Sequence, residues 1–343
     1  MVNRRGLIAA LWVAGIVVSS YAQQPKYPRP PVASVPSGPQ PGASKSDPSL
    51  SKPDPSSEGE GQVPTFRSDV KLVNVFVSVQ DPNGAPVATL KQQDFRIFED
   101  GVPQKIAVFS RESELPLSIV VAIDTSLSTK KDLKLELESA RKFAHAILRP
   151  VDSMALYQFC EKVYQLVPFT SDLARIDNGI NRVQHGSATA LYDAIYLGSH
   201  ALARRDGRKV MVVITDGGDT MSQVNYQEAL RSAQVSEAIV YSIIVVPIEE
   251  SAGRDIGGEH ALVQMSTDTG GKYYYASGLS ALDRAFRQIS DELRTQYLLA
   301  YYPSPRSTSN DFRRIEVKIS DAFPGAGELR PRHRAGYYTS KDE

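Results

Sequence analysis

Hydrophobic residues in the middle of the chain alternate between short apolar runs and longer segments with helical spacing. The apolar runs predict strands at residues 117–123, 154–159, 163–167, 210–215, 240–246 and 272–276. The longer segments predict helices at residues 131–148, 190–204, 226–236, 260–267 and 281–295. The first and fourth strands are almost wholly apolar, as expected for strands that are covered on both faces of a parallel sheet. The pattern therefore predicts an α/β domain at residues 113–296, built on a doubly wound, mostly parallel six-stranded sheet.

The segments on either side of this region have the two-residue alternation of half-buried β-strands. Before it, strands are predicted at residues 72–79, 95–99 and 105–109, and after it at residues 297–302, 313–319 and 332–338. The dipeptide Asp100-Gly101 predicts a hairpin between the second and third of these strands. Because neither segment alone can cover its apolar face, we predict that residues 65–112 and 297–343 together form a small all-β, sandwich-like domain. The α/β domain would be inserted in it.

The first residues have the pattern of an export signal. Arg4 and Arg5 precede an apolar run and then small residues that end at Ala22. The run of about 13 apolar residues is shorter than the roughly 20 that span a bilayer as a helix. We therefore predict a signal peptide at residues 1–22 that is cleaved, rather than kept as a membrane anchor, and a periplasmic or extracellular protein without a membrane span. Residues 23–64, rich in Pro and Ser, predict a disordered linker.

Charge and composition exclude several classes of function. Thirty-nine basic residues balance thirty-nine acidic ones, so the net charge does not favour nucleic acid or an anionic membrane as partner. Cys160 is the only cysteine of the sequence and cannot form an internal disulfide. The five histidines are scattered without the spacing of a zinc site. These features leave oxygen-bearing side chains as the candidate chemistry.

Five such side chains follow strands or precede a helix of the predicted sheet. Asp124, Ser126 and Ser128 alternate after the first strand, so they face the same way if the loop is extended. Thr189 precedes the second helix and Asp216 follows the fourth strand. In the common strand order 3-2-1-4-5-6, the first and fourth strands are neighbours at the switch point, where α/β sheets bind ligands. Oxygen ligands favour a hard cation, Mg²⁺ first, with Mn²⁺ or Ca²⁺ as alternatives.

These segments resemble the metal-ion-dependent adhesion site of von Willebrand factor type A domains. The resemblance lies in Asp124-x-Ser126-x-Ser128, in Thr189, and in Asp216 within Ile-Thr-Asp-Gly-Gly. It implies a non-catalytic protein that binds a partner protein through the metal. The serines and the threonine would contact the ion, the aspartates would hold it directly or through water, and an acidic side chain of the partner would complete the coordination.

The flanking segments resemble an exported bacterial subgroup, the VWFA-related acidobacterial domain. The similar residues include Phe98-Glu99-Asp100-Gly101 and the closing Gly336-Tyr337-Tyr338. Leu127 stands where the commonest form of the adhesion site has glycine. This departure affects the loop and removes no ligand.

Two other functions are compatible with parts of the pattern. A phosphotransferase with Asp124 as nucleophile would also place an aspartate after an apolar strand and use Mg²⁺. Such enzymes usually have a second acidic residue two positions further on, where this chain has Ser126.

The other alternative is a structural envelope module with an empty site. A metal titration would distinguish such a module from a metal-binding protein. Asp193 could support the metal ligands without contacting the ion, or it could be a favourable negative charge at a helix N-terminus. Asp219 is interpreted as a turn residue.

Overall fold

The structure is a computed structural model that describes residues 72–111, 115–126, 133–246, 256–303 and 312–339. The predicted signal peptide, the predicted linker and Ser128 lie outside the described residues. Within the described ranges, the helices are all too short or too polar to cross a bilayer.

Strands and helices alternate in the middle of the described chain, and strands predominate towards its two ends. The strands are β1 (Val73–Gln80), β2 (Phe95–Glu99), β3 (Val102–Gln104), β4 (Ile106–Arg111), β5 (Leu117–Asp124), β6 (Ser153–Phe159), β7 (Val163–Thr170), β8 (Arg208–Thr215), β9 (Ile239–Val245), β10 (Tyr273–Ala276), β11 (Tyr297–Tyr301), β12 (Phe312–Ile319), β13 (Arg330–Arg332) and β14 (Gly336–Tyr338). The helices are α1 (Leu133–Ile147), α2 (Leu173–Ile180), α3 (Leu191–Ala203), α4 (Tyr226–Val235), α5 (Ile256–Thr269) and α6 (Leu279–Thr295).

The large sheet has six strands in the order β10-β9-β8-β5-β6-β7. Neighbouring strands are parallel except β7, which runs antiparallel to β6. This order is the predicted one, and it makes β5 and β8 neighbours at the switch point. All eight residues of β5 are buried, as its apolar sequence predicts. The predicted fold class, α/β with a mostly parallel six-stranded sheet, is confirmed.

Helices cover both faces of this sheet. Alternate residues of β5, such as Ile119 and Val121, pack in a core with α1, α2 and α6. The residues between them, Val120 and Ala122, pack in a second core with α3, α4 and α5. Helices on both faces leave only the ends of the strands and the loops there open to a ligand.

Helix α2 is absent from the predicted elements. Asp172 caps it, since its carboxylate accepts hydrogen bonds from the backbone N–H groups of Ala174 and Arg175. Gly179 has a low helix propensity, so the sequence of this segment does not predict a helix. The glycine is required by packing, because a Cβ there would lie 2.1 Å from a methyl carbon of Val167 in β7.

The strands before and after the α/β region share two further sheets. One has the order β13-β1-β11-β4 and the other β14-β12-β2-β3. Their facing sides form one apolar core that includes Val75, Phe95, Tyr297, Leu299 and Val317. The structure therefore contains the additional sandwich-like β region that the fold class predicted. The predicted domain boundaries at residues 65, 113 and 297 stay a prediction.

The predicted hairpin between residues 95–99 and 105–109 is wrong in its second strand. Asp100 and Gly101 both have positive φ, 48° and 79°, and form a two-residue turn that sets Glu99 opposite Val102. The partner of β2 is therefore β3, which starts directly after the turn. The next strand, β4, pairs with β11 in the other sheet.

A buried ionic cluster joins the strands of the β region. The Glu99 side chain, 4% exposed, accepts hydrogen bonds from Arg313 at 2.8 Å, from the Tyr301 hydroxyl at 2.7 Å and from the Tyr337 hydroxyl at 2.9 Å. Glu99 precedes the α/β region in the chain, and its three partners follow it. The cluster therefore ties together strands that are about two hundred residues apart in sequence.

We expect Glu99→Ala to lower the free energy of unfolding by roughly 3–5 kcal/mol, because it removes the carboxylate that neutralises the mostly buried guanidinium of Arg313. Urea unfolding followed by circular dichroism measures the loss. The matched control is Glu316→Ala, which breaks an exposed ion pair with Lys318 at 2.9 Å and should cost about 1 kcal/mol or less. Equal losses in the two variants would contradict the structural role of Glu99.

Candidate functional site

Asp124 lies at the carboxyl end of β5, level with the end of β8. The register pairs Ile123 with Ile214, so Asp124 comes beside Thr215. The Thr215 hydroxyl donates to one oxygen of the Asp124 carboxylate at 2.6 Å, and the Ser126 backbone N–H donates to the other at 2.9 Å. The Asp124 side chain is fully buried. Both of its oxygens are thus held in fixed positions.

The neighbouring carboxylate of Asp216 acts on Asp124. Burial raises the pKa of Asp124 to about 6, and the charge of Asp216 contributes in the same direction. Hydrogen bonds from Thr215 and Ser126 oppose this rise. Two carboxylates whose charges interact at a buried position are stabilised by a cation, which lowers the cost of keeping both ionised.

The segment that carries Thr189 is fastened to the strands around Asp124. The backbone N–H of Gly186 donates to the carbonyl of Thr125 at 2.8 Å, and that of Ala190 donates to the carbonyl of Cys160 at 2.7 Å. Thr189 itself is 6% exposed. Because these bonds flank Thr189 on both sides, its segment runs along the same edge of the sheet as Asp124.

The loop after β8 is bonded to the same segment. The carbonyl of Thr189 accepts from the backbone N–H groups of Thr220 at 2.8 Å and Met221 at 3.1 Å. The N–H of Thr189 donates to the Thr220 hydroxyl at 2.9 Å. Thr189 is therefore held between the loops that follow β6 and β8. Sequence reasoning missed Thr215 and Thr220, although Thr215 directly precedes Asp216 and its register with β5 could have identified it.

Asp193 and Asp219 join the first turn of α3 to the loop after β8. The Asp193 carboxylate accepts from the backbone N–H groups of Gln223 and Val224 at 2.9 and 3.0 Å. The Asp219 carboxylate accepts from the N–H of Tyr192 at 3.2 Å. Both aspartates thus fix the loop that lies against Thr189. This agrees with the interpretation of Asp219 as a turn residue and gives Asp193 a role in the same loop.

Glycines at the end of β8 allow helix α5 to approach the site. Gly217 has φ of 145°, which side chains rarely adopt. A Cβ on Gly258 in α5 would lie 2.6 Å from the Cα of Gly218. The backbone of α5 at Gly258 therefore lies directly against Gly217 and Gly218.

Four of the five predicted metal ligands thus lie on segments that meet at one edge of the sheet. Ser126 is 2% exposed, and Asp216 is partly exposed. Ser128, the fifth, is not among the described residues. The candidate set consists of two carboxylates and neutral hydroxyls, and in the described ranges no group of three or more His, Cys, Asp or Glu side chains is arranged to hold a metal. An all-oxygen set that includes a fully buried carboxylate fits a hard divalent cation.

Residues 119–218 match the sequence model of the von Willebrand factor type A domain. This match confirms the resemblance of this region to the von Willebrand factor type A family, while the adhesion site itself stays a prediction. The resemblance of the flanks to the acidobacterial subgroup stays a prediction. No curated protein matches the sequence.

Several solved structures are similar in fold. An aerotolerance-related membrane protein from Bacteroides fragilis is 20% identical, with 52% of this chain and 98% of that chain covered and a TM-score of 0.42. A von Willebrand factor type A protein from Catenulispora acidiphila is 11% identical, with 81% and 76% covered and a TM-score of 0.47. The vWF domain of the type V pili tip protein Mfa5 from Porphyromonas gingivalis is 13% identical, with 51% and 94% covered and a TM-score of 0.42.

Proposed function

We propose that this chain is an exported, non-catalytic protein that binds a partner protein through a divalent cation, Mg²⁺ first, with Mn²⁺ or Ca²⁺ as alternatives. The residues that would hold the ion are Asp124, Ser126, Ser128, Thr189 and Asp216. The observation that carries the proposal is the fully buried carboxylate of Asp124, fixed by Thr215 and Ser126 beside a second carboxylate at the switch point of the sheet.

Each residue has a distinct part in this proposal. Asp124 and Asp216 supply negative charge, and the hydroxyls of the serines and Thr189 supply neutral oxygens. Thr215 is a positioning residue, because its hydrogen bond fixes one Asp124 oxygen and leaves that oxygen a further lone pair. A bound divalent cation would supply a Lewis-acidic centre with one open position for an oxygen of the partner, since Mg²⁺ takes six oxygen ligands and five come from this chain. An aspartate or glutamate of the partner satisfies that position and adds charge neutralisation.

The burial of Asp124 favours binding over phosphoryl transfer. A nucleophilic aspartate must present a free oxygen to its substrate. Asp124 is 0% exposed, so its carboxylate presents no surface to a phosphorylated substrate. Burial therefore favours a carboxylate that coordinates an ion over one that attacks a substrate.

Titration calorimetry of the purified chain with Mg²⁺, Mn²⁺ and Ca²⁺ tests the metal site. We expect one ion per chain, full reversal by EDTA, and affinity weakened about tenfold or more by Ser126→Ala, which removes one neutral ligand. Absence of uptake for all three cations would favour a structural module with an empty site.

Capture of the partner tests the rest of the proposal. Proteins of the exporting cell's envelope are bound to the immobilised chain in Mg²⁺ and eluted with EDTA. The contacting aspartate or glutamate of the captured partner is then changed to alanine, which should abolish binding. Binding that survives both EDTA and that substitution would discard the metal-mediated mechanism.

A further inference from the structure

A cleft of about 530 Å³ adjoins the candidate metal site. It lies between the β6–β7 hairpin and the segment that leads to Thr189, and its lining includes Gln158, Lys162, Arg182 and His185. Gly186, also in the lining, donates the hydrogen bond to Thr125 described above. The wall of the cleft is therefore bonded to the loop that carries Asp124 and Ser126, and one extended segment of a partner could contact both the cleft and the metal site.

Close packing holds the wall of the cleft in place. The Gln158 side chain donates to the carbonyl of Gln184 at 3.0 Å and accepts from its N–H at 3.1 Å. A Cβ on Gly186 would lie 2.2 Å from the Cβ of Cys160, so the segment runs directly against β6. Cys160 is an inert part of this wall, since burial raises the pKa of its thiol.

The cleft presents two cationic side chains. Lys162 and Arg182 are both exposed, as are the neutral side chains of Tyr164 and Gln184. Arg182 donates to the backbone carbonyl of Leu166 at 2.7 Å, which leaves its charge uncompensated. Among the described residues, no carboxylate lies within the 4.0 Å of an ion pair with Lys162 or Arg182.

One acidic residue, Glu161, also lines the cleft. Its carboxylate accepts from the Ser187 hydroxyl at 2.7 Å, and hydrogen bonds from the Cys160 thiol and from Ser187 lower its pKa to about 2. Glu161 is thus ionised and already engaged by its own segment. Two cationic side chains against one carboxylate leave the cleft with a net positive charge.

We propose that this cleft accepts a second acidic side chain of the same partner segment whose first carboxylate reaches the metal. This inference rests on the proposed function. A metal with one open position selects any carboxylate, so it distinguishes partners poorly. A cationic cleft at a fixed distance from the metal binds a polypeptide with two correctly spaced acidic residues more tightly. It disfavours a polypeptide that places a basic residue in the cleft.

Synthetic peptides test this proposal without knowledge of the natural partner. One fluorescent glycine-serine peptide carries a single aspartate, and a series adds a glutamate at successively greater spacing. They are titrated onto the full chain in Mg²⁺ at low salt, where exposed charges are least screened. At the best spacing, we expect the two-acid peptide to bind about fivefold more tightly than the one-acid peptide, the gain that two exposed ion pairs provide.

Charge reversals identify the residues responsible for the gain. Lys162→Glu and Arg182→Glu should each reduce the ratio of the two affinities towards one. The control is Lys318→Glu, the same charge change at an exposed side chain on β12 in the β region, which should keep the ratio.

The outcomes separate this proposal from the proposed function. No gain at any spacing, or a gain kept by both reversals in the cleft, would overturn the cleft while Mg²⁺-dependent binding of the one-acid peptide upholds the metal site. Uptake of Mg²⁺ without binding of any peptide at millimolar concentration also overturns the cleft. Absence of Mg²⁺ uptake in calorimetry overturns the proposed function itself.

Discussion

Asp124→Ala should abolish binding of divalent cations while the chain stays folded. The substitution removes one of two carboxylates from the candidate site and also relieves their mutual repulsion. The Thr215 hydroxyl loses its acceptor, at a cost of about 1–3 kcal/mol that this relief offsets. We expect no calorimetric signal with Mg²⁺ or Mn²⁺ and a circular dichroism spectrum like that of the parent. Asp216→Ala should have the same effect on the metal.

Thermal unfolding with and without Mg²⁺ gives a second measure of this effect. An ion at about 100 times its dissociation constant stabilises the parent by about 2.7 kcal/mol, and neither variant should gain this increment. The matched control is Asp206→Ala, at an exposed carboxylate just before the opposite end of β8, which should keep the full increment. Undiminished Mg²⁺ affinity in both site variants would place any bound ion elsewhere in the protein.

Glu292→Ala should lower the free energy of unfolding by roughly 3–5 kcal/mol. Glu292 in α6 is 2% exposed, and it accepts hydrogen bonds from the Tyr241 hydroxyl at 2.5 Å and the Ser78 hydroxyl at 3.0 Å. It also forms an ion pair with Arg332, whose side chain is mostly buried. Tyr241 belongs to the large sheet, whereas Ser78 and Arg332 belong to the β region. Loss of the carboxylate would therefore leave the mostly buried guanidinium of Arg332 uncompensated where the two regions meet.

Urea unfolding measures this loss, and two further variants interpret it. Glu292→Gln keeps the size and an acceptor, so it should lose less than the alanine variant. Asp291→Ala changes the adjacent exposed carboxylate in the same helix and should cost about 1 kcal/mol or less. If Asp291→Ala lowered the free energy of unfolding as much as Glu292→Ala, the loss would come from a change in the helix and not from the buried cluster.

The order of the large sheet could be predicted because its two central strands are marked by unbroken apolar runs. Residues 117–123 and 210–215 are typical of strands that are buried on both faces, and the common doubly wound strand order then makes these two strands neighbours. Asp124 and Asp216 follow from that order, since each lies directly after one of these strands. The prediction of the ligands that follow these two strands thus rests on the two apolar runs, which are the strongest local signals in the chain.

The Glu292 cluster could not be predicted in this way. In the sequence, Glu292 is a charged residue on an amphipathic helix, which normally faces solvent. Its burial depends on the antiparallel pairing of β1 with β13, which sets Ser78 opposite Arg332 across most of the chain. No local pattern encodes a register between such distant segments. The hairpin error has a related cause, because alternation predicts strands but does not say which sheet each one joins.

The pairing of β4 with β11 has a consequence for how this molecule could change over evolutionary time. Arg111, the last residue of β4, lies opposite Tyr297, the first of β11, so the chain leaves the β region and returns to it at one paired position. All of the described α/β elements lie between these two residues. A unit whose two ends emerge side by side can be exchanged for another without changing the register of the strands that hold it, provided that the new unit also pairs with Arg332 as Glu292 does. The β region would then stay constant, while the α/β region that it holds could be replaced.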